Sequence, residues 1–368
     1  MNRTNNLHFA SSKGLSLLVA KMNPRRDLDR LFFSSFCRCI HHLCSYRPIT
    51  INRGFGNGKM STSTAASVGG HNLSGTALLI AHHRAMATKD PKLRRICYDP
   101  WAHIFSGQGG TEFAHAQQTT AGDVMPDFGI WVAARTAFFD SCARCAAMSG
   151  YRQVVLLGAG FDTRSNRLGL ANHVTFFEVD APGPQRSKRA LAKTREMKEG
   201  GFREDCSVYV ECDFESQCFM ERLTSAGFDP SLPALVIVEG VIYYLSEAAF
   251  TSMLQKVATH CHPHTVITFD YFSKQSIQNK KNAHGNAFLK DKGEPFLIGI
   301  NHVLPYLVNA GFKKVVHHDF DEVTLAATGS HNIKRMYRFQ GICVACLSAD
   351  AATMPIGGVI DRLPMAKL

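Results

Sequence analysis

Long apolar runs are missing from this chain, and acid is missing from its first fifth. None of its 368 residues lies in an uninterrupted apolar stretch approaching the roughly 18 residues of a membrane span, which argues against a membrane partner. Residues 1–70 hold ten Lys and Arg but only Asp27 and Asp29, a net +8, whereas the remaining 298 residues carry only +3. The body is therefore close to neutral. A surface that tracks nucleic-acid phosphates needs basic clusters there, so no nucleic-acid partner is expected. The densest cluster, Gln185-Arg-Ser-Lys-Arg189, opens a predicted helix and reads as its solvated face. No internal repeat appears, and no low-complexity tract follows residue 70.

Twelve cysteines follow no disulfide framework in a chain of this length. Cys37-Arg-Cys39-Ile-His-His-Leu-Cys44 has metal-ligand residue types, but no second pair at finger spacing follows it, so no metal is expected. Cys343 and Cys346 sit inside an apolar strand pattern, as buried thiols in a reduced compartment do. His260-Cys-His-Pro-His264 falls where a helix ends, a position that favours imidazoles as caps.

The basic first segment, residues 1–70, is Arg- and Ser-rich and reads as a disordered or cleaved leader of the transit-peptide kind. A translated leader implies an organelle, mitochondrion or plastid. Met60-Ser-Thr-Ser-Thr-Ala-Ala-Ser would also serve as a start, leaving residues 1–59 untranslated and the protein cytoplasmic. The folded domain is expected over 71–350, a helical cap (71–150) followed by a sheet core (151–350), with a tail over 351–368.

Within the body, helical periodicity runs through Ser74–Met86 and Ile130–Ala147. Apolar runs at Val154–Leu157, Val174–Asp180, Val208–Val210, Leu235–Val238 and Thr265–Phe269 alternate with helical segments at Gln185–Lys198, Glu215–Ala226, Glu247–Thr259 and Val303–Ala310. This order specifies an α/β fold with a mostly parallel sheet covered by helices on both faces. Lys313–His317 and Tyr337–Leu347, with little between them, predict a terminal antiparallel hairpin. Polar, lysine-rich 275–292 reads as a mobile loop or lid.

The first strand ends in Gly158-Ala-Gly160-Phe-Asp162, and the second ends in Asp180, twenty-two residues after Gly158. A strand, a glycine turn, a helix and an acid-tipped strand form the half-unit that holds an adenosine nucleoside. A dinucleotide site wants a third glycine, and Thr163 stands there. Asp162 would repel a pyrophosphate, which weighs against a dinucleotide oxidoreductase. A cofactor without phosphate and with a cationic sulfonium, S-adenosylmethionine, suits the turn better. Asp162, Asp180, Asp213 and Glu239 stand at the ends of four predicted strands, where ligands of open α/β sheets bind.

The chain resembles the leucine carboxyl methyltransferase family over residues 75–345. The resemblance rests on Thr76-Ala-Leu with Arg84, Tyr98-Asp-Pro-Trp101, Ala134-Arg-Thr136 with Asp140, and Leu157–Arg164. It continues in Phe177-Glu-Val-Asp180 with Lys188, Asp213, Gly227-Phe-Asp-Pro230, Val238-Glu-Gly-Val241 and Phe269-Asp-Tyr271. It implies a Rossmann-like class I methyltransferase fold with a seven-stranded sheet, and S-adenosyl-L-methionine as methyl donor without a metal. It further implies that Arg135 holds the donor carboxylate and that Gly158 and Gly160 lie under the amino-acid tail. Asp180 takes the ribose hydroxyls, Asp213 and Phe214 flank the adenine, Glu239 lies near the methionine moiety, and Arg84 matches a basic residue of the helical cap.

Phe214 and Gly240 depart from the phosphatase-modifying members, which tend to have Leu and Cys there. They align the chain with the bacterial-type branch of small-molecule O-methyltransferases. The expected activity is O-methylation of a carboxylate or hydroxyl on a small-molecule acceptor. The alternatives are methylation of a protein C-terminal carboxylate and a non-catalytic cofactor-binding scaffold. A carboxylate needs no general base; a hydroxyl does, with Tyr243, Tyr244, Asp270 and Tyr271 as candidates. No catalytic residue is assigned.

Overall fold

Val154 to Leu157 and Ala234 to Val238 are buried along their whole lengths. Strands so apolar belong in the middle of a sheet covered on both faces. A computed structural model, which describes residues 74–121, 127–279, 283–329 and 340–350 with Val359 and Leu363, places them there. β1 (Gln153–Leu157) lies between β2 (Thr175–Asp180) and β4 (Ala234–Val238). β3 (Ser207–Glu211) flanks β2 and β5 (Val266–Phe272) flanks β4, all parallel. β7 (Gln340–Cys346) runs antiparallel to both β5 and β6 (Lys314–Asp319), giving the order β3-β2-β1-β4-β5-β7-β6. This is the expected mostly parallel seven-stranded sheet with its terminal antiparallel pair. All described residues belong to the unit Ser63–Leu368.

The alternation of strand side chains sorts the core into two layers. Val154, Leu156, Leu235, Ile237, Val344 and Cys346 face α3 (Phe128–Met148) and α12 (Phe320–Thr328). Val155, Leu157, Val236, Val238, Ile267 and Cys343 face α7 (Phe219–Ser225), α8 (Glu247–His260) and α11 (Leu304–Ala310). Cys343 and Cys346 thus lie in opposite layers, and the described cysteines are all free. A third cluster joins α1 (Gly75–Lys89), α2 (Ala102–Ala121), α5 (Pro182–Ala192) and α6 (Arg195–Glu199) over Phe161, with Phe105 stacked on its ring at 5.3 Å. Ser74 caps α1 by accepting from the Ala77 amide at 3.2 Å. Among the described residues no helix is long and apolar enough to cross a membrane.

Several elements differ from expectation for local reasons. α2 was not expected: Gly107, Gly109 and Gly110 dilute its periodicity, and Gly107 breaks the helix with φ 52° and ψ −159°. The single helix expected over Gln185–Lys198 is two, because Pro182 starts α5 early and Thr194 caps a new helix at Arg195. Nor is its basic cluster wholly solvated, since Lys188 is completely buried. The helix expected from Glu215 begins at Phe219, because the Asp213 carboxylate accepts from the Glu215 amide at 3.0 Å and the Ser216 hydroxyl at 2.7 Å, holding a turn. β5 continues to Phe272, so Asp270 lies within it rather than past it. α12 occupies the connection between β6 and β7, where little was expected. The lid segment carries α9 (Lys274–Gln278) and α10 (Ala283–Asp291). His260 bonds the Lys256 carbonyl at 3.0 Å in the last turn of α8, the capping role expected of it. The leader (1–70), with its Cys37–Cys44 cluster, lies outside the described residues.

Candidate active site

β1 is the strand at which the winding reverses, with β2 on one side and β4 on the other. Open α/β sheets bind ligands beyond the C-terminal edge at such a point. A cleft of about 1650 Å³ opens there, between the strand ends, α1, α2 and the lid segment, and Arg84, Arg135, Gly158, Gly160, Asp180, Asp213, Phe214 and Glu239 all line it. Its volume exceeds the about 300–1,000 Å³ of a single-ligand pocket, leaving room for two molecules.

The glycine turn is held by its own backbone and by Asp180. The amides of Gly158 and Ala159 donate to the Val179 carbonyl at 2.8 and 3.1 Å. Gly158 has φ +73°, and a Cβ there would lie 2.3 Å from Cγ2 of Val241, so both the backbone and the packing require glycine. The Asp180 carboxylate accepts from the Gly160 amide at 2.5 Å and the Ala181 amide at 2.7 Å. Burial raises its pKa, opposed by those two amides and by Lys188. Lys188 is spent elsewhere: its ammonium is paired with Glu178 and donates to the Asp162 carbonyl.

Beneath the turn lies a lattice of buried charges. Arg135 on α3 donates through Nε to Glu239 at 3.2 Å, and through Nη1 to Asp270 and to the Tyr243 hydroxyl, both at 3.3 Å. Its guanidinium lies 4.1 Å from the Trp131 ring centre, and Nη2 makes no hydrogen bond to any described residue. Burial works against the charge, but Asp270, Tyr243 and Glu239 outweigh it and raise the Arg135 pKa. Arg164 pairs with Asp140 at 2.9 Å, with Glu239 at 2.7 Å and with Asp162. Arg164 therefore neutralises Asp162 and, with its neighbours, overcomes the burial penalty to hold the Asp162 pKa down to about 2. Glu239 gives one oxygen to each arginine. Gly240, at φ +73°, lets the Arg135 guanidinium approach, since Nη1 would lie 3.1 Å from a Cβ there.

Arg84 bonds Asp99 at 3.0 Å and the Phe161 carbonyl at 2.5 Å, fastening α1 to the turn from within the cleft wall. Asp213 and Phe214 follow β3 at the far end of the cleft. Three of the four suggested general bases are poorly suited to that work. Burial pushes the phenols of Tyr243, Tyr244 and Tyr271 up, and Tyr271 is bonded to His317 at 2.9 Å away from the cleft. Burial also raises the Asp270 pKa, against the pull of Arg135. Among the described residues no group of His, Cys, Asp and Glu is placed to hold a metal ion.

The other half of the cleft was not foreseen. Phe128 and Trp131 on α3 stack at 5.1 Å, Phe272 at the end of β5 lies parallel to Trp131 at 6.4 Å, and Phe296 meets Phe272 at 5.4 Å. The Glu294 carboxylate accepts from the Thr76 amide at 2.9 Å, tying the stretch just after the lid segment to the start of α1. Only the fold shows that these residues, far apart in the chain, share one wall. The aromatic residues by themselves read as core.

Residues 77–258 match the leucine carboxyl methyltransferase family. A protein of Mycobacterium marinum named as a candidate S-adenosyl-L-methionine-dependent methyltransferase is 34% identical over 202 residues, 51% of this chain and 61% of that protein. A Streptomyces coelicolor protein named likewise is 31% identical over 219 residues, 57% of this chain and 69% of that one. The chain thus spans about three-fifths of the length of the first relatives it matches. A crystal structure described as a candidate methyltransferase of Thermobifida fusca superposes with a TM-score of 0.52 at 12% identity, covering 68% of this chain and 94% of that one, and shares its fold. Sheet order, cleft position and sequence match agree, and the chain belongs to the leucine carboxyl methyltransferase family of S-adenosylmethionine-dependent methyltransferases.

Proposed function

We propose that the protein transfers a methyl group from S-adenosyl-L-methionine to an oxygen atom of a small molecule. The observation that carries this reading is the charge of the cleft wall. Among the described lining residues stand Asp162, Asp180, Asp213, Glu215, Glu239 and Glu294 against Arg84, Arg135 and Arg164, and each arginine is already paired. Such a wall repels a pyrophosphate and accommodates a sulfonium cation. When bound, the donor supplies a methyl group on that sulfonium, which passes to an oxygen lone pair while the electrons of the broken S–C bond return to sulfur.

The residues divide the binding work between them. Arg135 offers Nη2 to the donor carboxylate, and a charged donor makes a strong hydrogen bond there. Asp180, fixed by two amides, presents its remaining lone pairs to the ribose diol. Asp213 and Phe214 flank the adenine. Gly158 and Gly160 bring bare backbone under the amino-acid tail, and Glu239 orients Arg135 and Arg164 beside it. What these residues contribute is alignment, the pre-set geometry that makes a bimolecular displacement effectively unimolecular.

The protein incubated with methyl-labelled donor and a whole-cell extract, fractionated afterwards by size, should label a small molecule. Label confined to polypeptide would support the protein carboxylate reading instead. Donor binding without any labelled product would support a scaffold.

A further inference from the structure

His83 stands out among the cleft residues. It is half-buried, lines the wall, and makes no hydrogen bond or ion pair to any described residue. Its ring meets Phe128 edge to face at 4.8 Å and His82 at 5.4 Å. His82 is engaged with the Thr111 hydroxyl at 3.3 Å. On α1, Ala77, Ile80 and Arg84 share a face at helical spacing and, with His83, line the cleft. Ala77 lies against Gly160, its Cβ 3.6 Å from where a Cβ on that glycine would stand. His83 is six residues further, roughly 9 Å along the helix at 1.5 Å per residue. Its neighbour Arg84 is fastened to the Phe161 carbonyl. His83 is thereby held near the glycine turn, on the side of the cleft lined by Phe128.

This side is aromatic, and among the described residues its arginines, Arg84 and Arg135, are already paired with carboxylates. Half-buried Phe128 and Phe296, backed by the buried rings of Trp131 and Phe272, make an aromatic wall against which a flat ring can pack. Resting on the methyltransferase reading above, we propose that this half of the cleft binds an uncharged aromatic alcohol or phenol as methyl acceptor, with its hydroxyl hydrogen-bonded to the imidazole of His83. Burial, reinforced by His82, lowers the His83 pKa to about 4, so the ring is neutral near pH 7 and has a lone pair to accept that bond. As the oxygen–methyl bond forms, the hydroxyl proton passes to the ring nitrogen and from there to water. The S–C bond breaks with its electrons on sulfur, so charge balances. A carboxylate acceptor, by contrast, would meet the carboxylate of Glu294 and, among the described residues, only arginines already paired with carboxylates.

The full-length protein saturated with S-adenosylhomocysteine distinguishes the two classes when titrated with 2-naphthol and 2-naphthoate, which share a ring system. The proposal expects 2-naphthol to bind and 2-naphthoate to bind at least tenfold more weakly. H83A should weaken 2-naphthol at least fivefold without changing S-adenosylhomocysteine affinity, and H83Q, which keeps an acceptor atom, should recover part of the loss. Equal or tighter binding of the naphthoate, binding of neither compound, or an H83A variant with undiminished naphthol affinity overturns the proposal. Failure of S-adenosylhomocysteine itself to bind overturns the donor reading instead.

Discussion

Arg135, Arg164 and Lys188 are each buried to within about one per cent of completely, and each meets carboxylates. Burying such charges is costly, and the cost is tolerated because every one is paired. The Lys188–Glu178 pair lies at the back of the glycine turn, and Glu178 also accepts from the Ser207 hydroxyl at 2.6 Å. Removing the ammonium alone leaves a buried carboxylate without its cation, so K188M should destabilise the protein by about 3–5 kcal/mol. The double variant K188M/E178L should recover part of that loss in chemical denaturation, because neither charge is then stranded. A double variant less stable than K188M would mean that Glu178 is held by its hydroxyl partners instead. Residues of this kind were partly readable from sequence. Arg135, Asp180 and Glu239 lie in ordered motifs at strand and helix positions. Lys188, expected on a solvated face, is buried where its ammonium meets Glu178 and the Asp162 carbonyl. His83 gave no signal, because a histidine on a helix acquires meaning only once that helix is seen to line a cleft.

At the scale of elements, the β1–α4 turn (α4, Arg164–Arg167) depends on a backbone that only glycine adopts freely. G158A places a Cβ 2.3 Å from Val241 at a φ of +73°. It should lower stability by roughly 1 kcal/mol or more through the backbone alone, and weaken donor binding as the turn shifts. Pairing it with V241A relieves the clash but not the φ, so thermal denaturation should show incomplete recovery. Full recovery would assign the whole effect to packing. Strands β1, β2, β4 and β5 were readable because buried parallel strands are continuous apolar runs, and α1, α3 and α8 because their periodicity is uninterrupted. α2 was not, since its glycines weaken the pattern and it is held by packing on α1 and the Phe161 cluster. α12 was missed because it is held by apolar contact with α3, which the local sequence does not show.

Across the whole molecule, one sheet edge gathers four strand ends, and each contributes an acid or a glycine to the same cleft. The donor half was foreshadowed in sequence because each strand end carries its own short motif. The acceptor half was not, because its wall is assembled from α1, α3, the end of β5 and the lid segment, four places separated in the chain. Six acids and three paired arginines among the described lining residues favour a phosphate-free cofactor over a dinucleotide. Calorimetric titration of the full-length protein with S-adenosylhomocysteine and, separately, with NADH tests that preference. One S-adenosylhomocysteine should bind per chain and NADH should not, and D180N should weaken S-adenosylhomocysteine at least tenfold, about 1.4 kcal/mol. Binding of NADH as tight as that of S-adenosylhomocysteine, or a D180N variant with wild-type affinity, would contradict the assignment of this cleft to a methyl donor.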